Sequence, residues 1–189
     1  MNSNKNRYTY WQDVAQDKKV QEYMDLKFAS WNIRTMLDRV NVERPERRSA
    51  IVANELEKYN IDIAALSEVR FSDAGSIREE AGYTIFWSGK PEGEVREHGV
   101  AIAMKNCLIS KLSEDPKPVN ERMITLRLPL TQNRYCTVIS VYAPTMTNSP
   151  EKINEFYAQL NETLGNISDS DKIILLGDFN ARIGSDCNT

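Results

Sequence analysis

Short apolar runs, each ending on an amide, a carboxylate or a phenol, recur along this chain. "FASW" runs into Asn32, "IAALS" into Glu68, "VISV" into Tyr142, and "IILLG" into Asp178 with Asn180 two residues on. Runs of this length read as strands, and four successive apolar residues, Ile173 to Leu176, predict a strand covered on both faces. Helical signals separate some of the runs. The chain must therefore stack sheets and helices in layers, and its polar groups collect beyond strand ends, where sites are built in layered α/β folds.

The intervening stretches support this. "RPERRSAIVANELEKYN" reads as a helix with Ile51, Val52 and Leu56 inward and Asn60 stopping it. "SPEKINEFYAQLNETLG" reads more clearly still. Ser149 is placed to cap it, Pro150 suits its first turn, and Gly165 suits its end. Ile153, Phe156, Tyr157, Leu160 and Leu164 form its apolar stripe. "YTIFWSG" and "HGVAIAM" are two further strands, and "RMITLRLPL" with "RYCTVISVYAP" makes a hairpin around Thr131-Gln-Asn. Residues 1–25 are a polar leader in which Trp11, Val14, Val20, Tyr23 and Met24 could stripe a short helix. Residues 26–189 are one domain.

Composition removes several function classes. The chain has 189 residues, 41% of them hydrophobic, enough for one sizeable core. Its net charge of −3 provides no broad basic field, so a polyanion would have to be held locally by a few basic groups or a metal ion. Three dispersed cysteines, Cys107, Cys136 and Cys187, form neither a zinc motif nor a disulfide framework and favour a reducing compartment. No secretory signal or run of membrane-spanning length is present, so an intracellular location, nuclear or cytoplasmic, is expected.

Each strand-end residue has a plain structural reading. Glu68 after so apolar a strand needs a partner, and Arg70 is at hand, about as good a reading as a metal ion. Asp178 in "GDFN" can close an Asx-turn on its own backbone. The recurrence of such residues is more specific than any one of them.

Taken together, "SWNIRT", "IAALSEVR", "YTIFWSG", "HGVAIAM", "ISVYAPT" and "IILLGDFNARIG" resemble, in order and spacing, the motifs of the endonuclease/exonuclease/phosphatase superfamily over about residues 26–184. The flavour is that of the apurinic-endonuclease-like domain of non-LTR retrotransposons and of craniofacial-development-protein-2-like sequences. The resemblance implies a four-layered α/β sandwich, two packed mixed sheets flanked by helices, here incomplete at its C-terminus. It also implies a divalent-metal-dependent phosphodiesterase acting on DNA. Asn32 and Glu68 then fall where the family binds Mg²⁺ or Mn²⁺, with Glu68 the direct ligand. Tyr142 falls where a phenol contacts the scissile phosphate. Asp178 matches the aspartate that activates the attacking water, and Asn180 the amide that holds that aspartate and the phosphate.

The family pattern continues with another strand pair and an Asp–His couple, which this sequence does not match. Its one histidine, His98, opens a strand and reads as structural, away from the Glu68–Asp178 side. The expectation is a fragment with little or no activity. A catalytically dead remnant kept as a binding module, or a phosphatase of small phosphoesters, are the alternatives. No membrane association and no protein partner is identifiable.

Overall fold

A computed structural model of the chain describes residues 25–38, 47–130 and 133–181. The leader through residue 24, Thr131 and Gln132 of the expected hairpin turn, and Cys187 lie outside the described residues.

The strand β2 (Ile63–Ser67) shows how the sequence sorts itself between layers. Every residue of it is buried. Ile63 joins the core between the sheets, whereas Ala64 and Leu66 face the opposite way, into a second core. A strand that is apolar on both faces can satisfy both only by lying in the middle of a sandwich. Its sheet also contains β1 (Phe28–Asn32), β3 (Ala74–Glu79), β4 (Tyr83–Ser88) and β5 (Val100–Lys105), in the order β1-β2-β5-β4-β3. The second sheet has β6 (Lys117–Asn120), β7 (Met123–Pro129), β8 (Tyr135–Tyr142) and β9 (Lys172–Asp178), in that order. Two pairings are parallel, β1 with β2 and β8 with β9, and all the others are antiparallel.

Three cores hold four layers together. Ile63, Ile102, Met104, Ile124, Leu126 and Val138 fill the space between the sheets. The helix α1 (Arg48–Lys58) lays Val52, Ala53 and Leu56 on the outer face of the first sheet, against Leu66, Ile85 and Ala101. A short helix, α2 (Asn106–Ile109), adds Leu108 to the middle core. The helix α3 (Pro150–Gly165) lays Phe156 and Leu160 on the outer face of the second sheet, against Met123, Ile139 and Val141. The expected α/β sandwich of two mixed sheets flanked by helices is what the chain forms.

Local details depart from expectation. Ser149 occupies the N-cap position of α3, but its side chain makes no cap bond, and its carbonyl accepts from the Ile153 N–H. Gly165 is the last helical residue rather than a left-handed stop, and Asn166 follows as the C-cap. Tyr157, expected in the apolar stripe, is 47% exposed. The strand β9 meets a core on each face, Ile174 and Leu176 against the middle one and Leu175 against the outer one, but the cover is partial. Among the described residues it pairs only with β8, and Ile173 is 47% exposed. The strands β3 and β6 carry no apolar run and were not expected. They are sheet edges, where alternating or polar sequences suffice because one side meets water.

Candidate active site

Parallel pairing brings the strand-end residues together. In the first sheet Asn32 is in register with Ser67, which puts Glu68 beside it. In the second sheet Tyr142 is in register with Asp178. The sheets stack with β1 against β9 and β2 against β8 and β9, so four strands deliver their C-terminal ends to one rim.

The side chains meet there. Asn32 Nδ2 donates to Glu68 Oε1 at 2.8 Å and to Asp178 Oδ2 at 3.0 Å. The Tyr142 hydroxyl donates to Glu68 Oε1 at 3.1 Å. Arg70 Nη2 reaches Glu68 Oε2 at 3.2 Å. Asn180 donates its backbone N–H to Asp178 Oδ1 at 2.9 Å and its side-chain Nδ2 to the Ala143 carbonyl at 2.7 Å. Asn32, Glu68, Tyr142 and Asp178 thus form one connected network across the sandwich, and Asn180 braces Asp178 from behind. The Arg70 ion pair and the Asx-turn at Asp178 both exist as well. Each plain reading of these residues is true locally and compatible with a shared site.

Asn32 turns an N–H, not its oxygen, toward the carboxylates, while Oδ1 accepts from the Arg34 N–H at 3.0 Å. To offer oxygen to a cation the amide would rotate by half a turn. Burial, then the charge on Glu68, pushes the Tyr142 phenol above its ordinary pKa of 10.0, so it remains a proton donor at neutral pH.

The backbone here is held in costly conformations. Of the seven described non-glycine residues with positive φ, four belong to this rim: Arg34 at 62°, Glu68 at 60°, Arg70 at 61° and Asn180 at 47°. Each such residue costs about 1–2 kcal/mol and persists where its surroundings over-determine it, as at functional sites. Gly177 has φ of 146°, and a Cβ there would lie 1.9 Å from the Val141 carbonyl oxygen. Only glycine lets β9 pass that close to β8 and aim Asp178 at the rim.

His98 is not away from this side, as its sequence context suggested. Its ring centroid lies 5.8 Å from that of Tyr142, and its Nε2 is 2.7 Å from Arg122 Nη2. Burial, with the Arg122 charge second, pushes the imidazole below its ordinary 6.5. Arg122 went unnoticed in the sequence. It precedes an apolar strand like many basic residues do, and only the pairing of Met123 with Val141 places it next to Tyr142.

Glu68 and Asp178 are two carboxylates drawn together by one amide donor, with Arg70 the only cation paired to either among the described residues. That donor set fits a hard cation such as Mg²⁺, which takes few protein carboxylates and keeps water and substrate oxygens. Among the described residues no group of three or more His, Cys, Asp or Glu side chains assembles. A cavity of about 870 Å³ beside the Arg127–Asp171 ion pair and the second half of α3 contains none of the rim residues.

The family model described as "Endonuclease/Exonuclease/phosphatase family" matches residues 29–186. Craniofacial development protein 2 of Bos taurus is 30% identical over 160 residues, covering 82% of this chain and 24% of that protein. The Tragulus javanicus protein of the same name is 30% identical over 156 residues, covering 82% and 25%. The chain thus spans about a quarter of the length of these relatives. Among solved structures, D. rerio TDP2 complexed with a single-strand DNA product superposes with a TM-score of 0.54 at 14% identity, covering 84% of this chain and 62% of that one. A humanized D. rerio TDP2 carrying 14 mutations gives 0.54 at 16% identity. At these identities the structural likeness speaks to fold.

Proposed function

The chain belongs to the endonuclease/exonuclease/phosphatase family, and from that premise we propose that the rim of Asn32, Glu68, Tyr142, Asp178 and Asn180 is a divalent-metal-dependent phosphodiesterase site of the DNA endonuclease type found in non-LTR retrotransposons. The observation that carries this reading is the Asn32 amide bridging Glu68 and Asp178 across the two sheets. No core-packing need explains bringing two carboxylates to one donor, whereas binding a cation and a phosphate does. The DNA product bound to the TDP2 neighbour supports a nucleic-acid substrate.

Glu68, assisted by a rotated Asn32 amide, would hold the ion, which neutralises charge on the phosphoryl oxygens. Asp178 accepts a proton from the attacking water, and the Asn180 backbone N–H keeps its other oxygen fixed. Tyr142, held neutral, donates to a phosphate oxygen; one well-aimed donor of this kind contributes about 3 kcal/mol.

Turnover by this chain is expected to be low. The sequence has one histidine, and that one is engaged with Arg122 rather than with a carboxylate. A second reading, a phosphate-binding module without turnover, is favoured by the Arg70–Glu68 pair, which supplies from the protein part of the charge an ion would bring. Nicking of supercoiled plasmid in Mg²⁺, with Mn²⁺ binding followed by water proton relaxation, separates the two. Mn²⁺ binding lost in Glu68→Gln, with slow nicking lost in Asp178→Ala, supports the phosphodiesterase. Mn²⁺ binding unchanged by Glu68→Gln removes the metal role, and nicking indifferent to Asp178→Ala removes the site.

A further inference from the structure

Each sheet has two edges, and the fold treats them differently. The edge strand β6 carries Pro118, which has no N–H to offer, and a register shift between Pro118 and Asn120. The edge strand β3 carries Arg78 and the buried, inward-pointing Glu79. Both are devices that keep a sheet from pairing with another chain. The remaining edges, β1 in the first sheet and β9 in the second, have no proline and no register shift, and β9 is uncharged between Lys172 and Asp178. Among the described residues each pairs on one side only. The two strands lie against each other, so both open edges share one flank of the sandwich. Along it Phe28, Ile174 and Leu176 are only partly buried, and Trp31 and Ile173 remain 40% and 47% exposed.

We propose that this flank pairs with the same flank of a second copy of the chain about a two-fold axis. Both strands run toward the rim, so an axis crossing the sheets joins β1 to β1 and β9 to β9 antiparallel. The residues then opposite one another match. With β9 centred on Leu175, Lys172 faces Asp178 of the second copy and Ile174 faces Leu176. Ile173 faces Gly177, which has no side chain to obstruct it. With β1 centred on Ser30, Trp31 faces Ala29. The two exposed large side chains of the flank thus meet the smallest residue of each strand, and the one charged pairing is of opposite sign. One axis serves both strands. Asn32 and Asp178 stand level, bonded at 3.0 Å, and the two strand centres, Ser30 and Leu175, lie a similar distance below them.

The contact closes two open edges at once and extends each sheet across the axis. It also reaches the rim. Lys172 and Asp178 alternate onto the same face of β9 as Ile174 and Leu176, which pack on the middle core. Each copy therefore brings a lysine to the other's rim, beside Asp178. The pairing stands independently of the chemistry the rim performs.

Sedimentation velocity over a concentration series tests this. The unaltered chain should sediment as a dimer at the higher concentrations. Trp31→Asp and Ile173→Asp each bury a charge in the contact and should raise the dimer Kd about tenfold or more. Val119→Asp, comparably exposed but on the blunted β6 edge, should leave it unchanged. Ser30→Cys gives a second measurement with a nearly isosteric change. Ser30 is exposed and on the axis faces its own copy, so mild oxidation should link this variant into a covalent dimer, above the background set by the unaltered chain's cysteines. Val119→Cys should stay at that background. A chain that remains monomeric throughout the series would overturn the proposal and leave the proposed function standing. So would a dimer indifferent to Trp31→Asp and Ile173→Asp in which Ser30→Cys does not link. Should the two Asp variants not fold, the Ser30→Cys link alone decides.

Discussion

Asn32 and Asp178, separated by 146 positions in sequence and carried by different sheets, meet at 3.0 Å. The same amide nitrogen also bonds Glu68. Replacing Asn32 with Leu removes the donor that offsets two adjacent carboxylates. We expect a loss of about 1–3 kcal/mol, measured by urea unfolding, since hydrogen bonds to charged groups are worth that much. Divalent cations should restore part of it, because they replace the missing positive partner.

Arg70 competes with any cation for Glu68. An ion pair this exposed is worth about 0.2–1 kcal/mol, so Arg70→Gln should tighten Mn²⁺ binding only about two- to fivefold. Proton relaxation titrations measure this directly. Weaker binding in the variant would mean that Arg70 positions Glu68 rather than competing for it.

Gly177→Ala tests how closely β9 must pass β8. The added carbon would lie 1.9 Å from a backbone carbonyl oxygen, which cannot swing aside as a side chain can. Destabilisation of about 3 kcal/mol or more is expected, visible as a lowered melting temperature.

Stability should fall as pH drops through the histidine range. Burial and Arg122, with Lys90 behind, depress the His98 pKa in the folded chain, while Glu121 and Glu97 oppose them. The unfolded chain therefore binds a proton that the folded one resists. The contribution is complete above the unfolded value of 6.5 and is lost as pH falls toward the lower folded one. Chemical denaturation on either side of that range should show this limb, and His98→Gln should flatten it.

Tyr142→Phe removes the phenol donor to Glu68 and leaves the ring against His98 and Arg122. The fold should survive with a loss of about 1 kcal/mol, whereas plasmid nicking, if measurable, should drop about 10²-fold. Comparing unfolding with nicking rates distinguishes a catalytic phenol from a structural one.

The strands that bear the site were legible because their cores are apolar on both faces, and β2 and β8 needed no tertiary information to be recognised. The residues ending them were legible as polar breaks in those runs. Edge strands were not, because β3 and β6 satisfy only one face and read like loops. The two-faced packing of β9 was legible in its apolar run, but the exposure of Ile173 at its start was not, because an apolar run reports what a strand can bury, not what lies beside it. His98 and Arg122 were illegible as a pair, since their contact depends on strand register and on a turn that no local pattern encodes.

The rim also has a kinetic consequence. Its hydrogen bonds close sequence separations of 36, 74 and 146 residues. Contacts of such separation form slowly, because the entropy of closing long loops is lost before the contacts repay it. The carboxylate pair therefore exists only once the two sheets have docked. A nascent or half-folded chain has not yet assembled this rim, so if the proposed function is right the appearance of divalent-cation binding during refolding should mark the last step of folding rather than an early one.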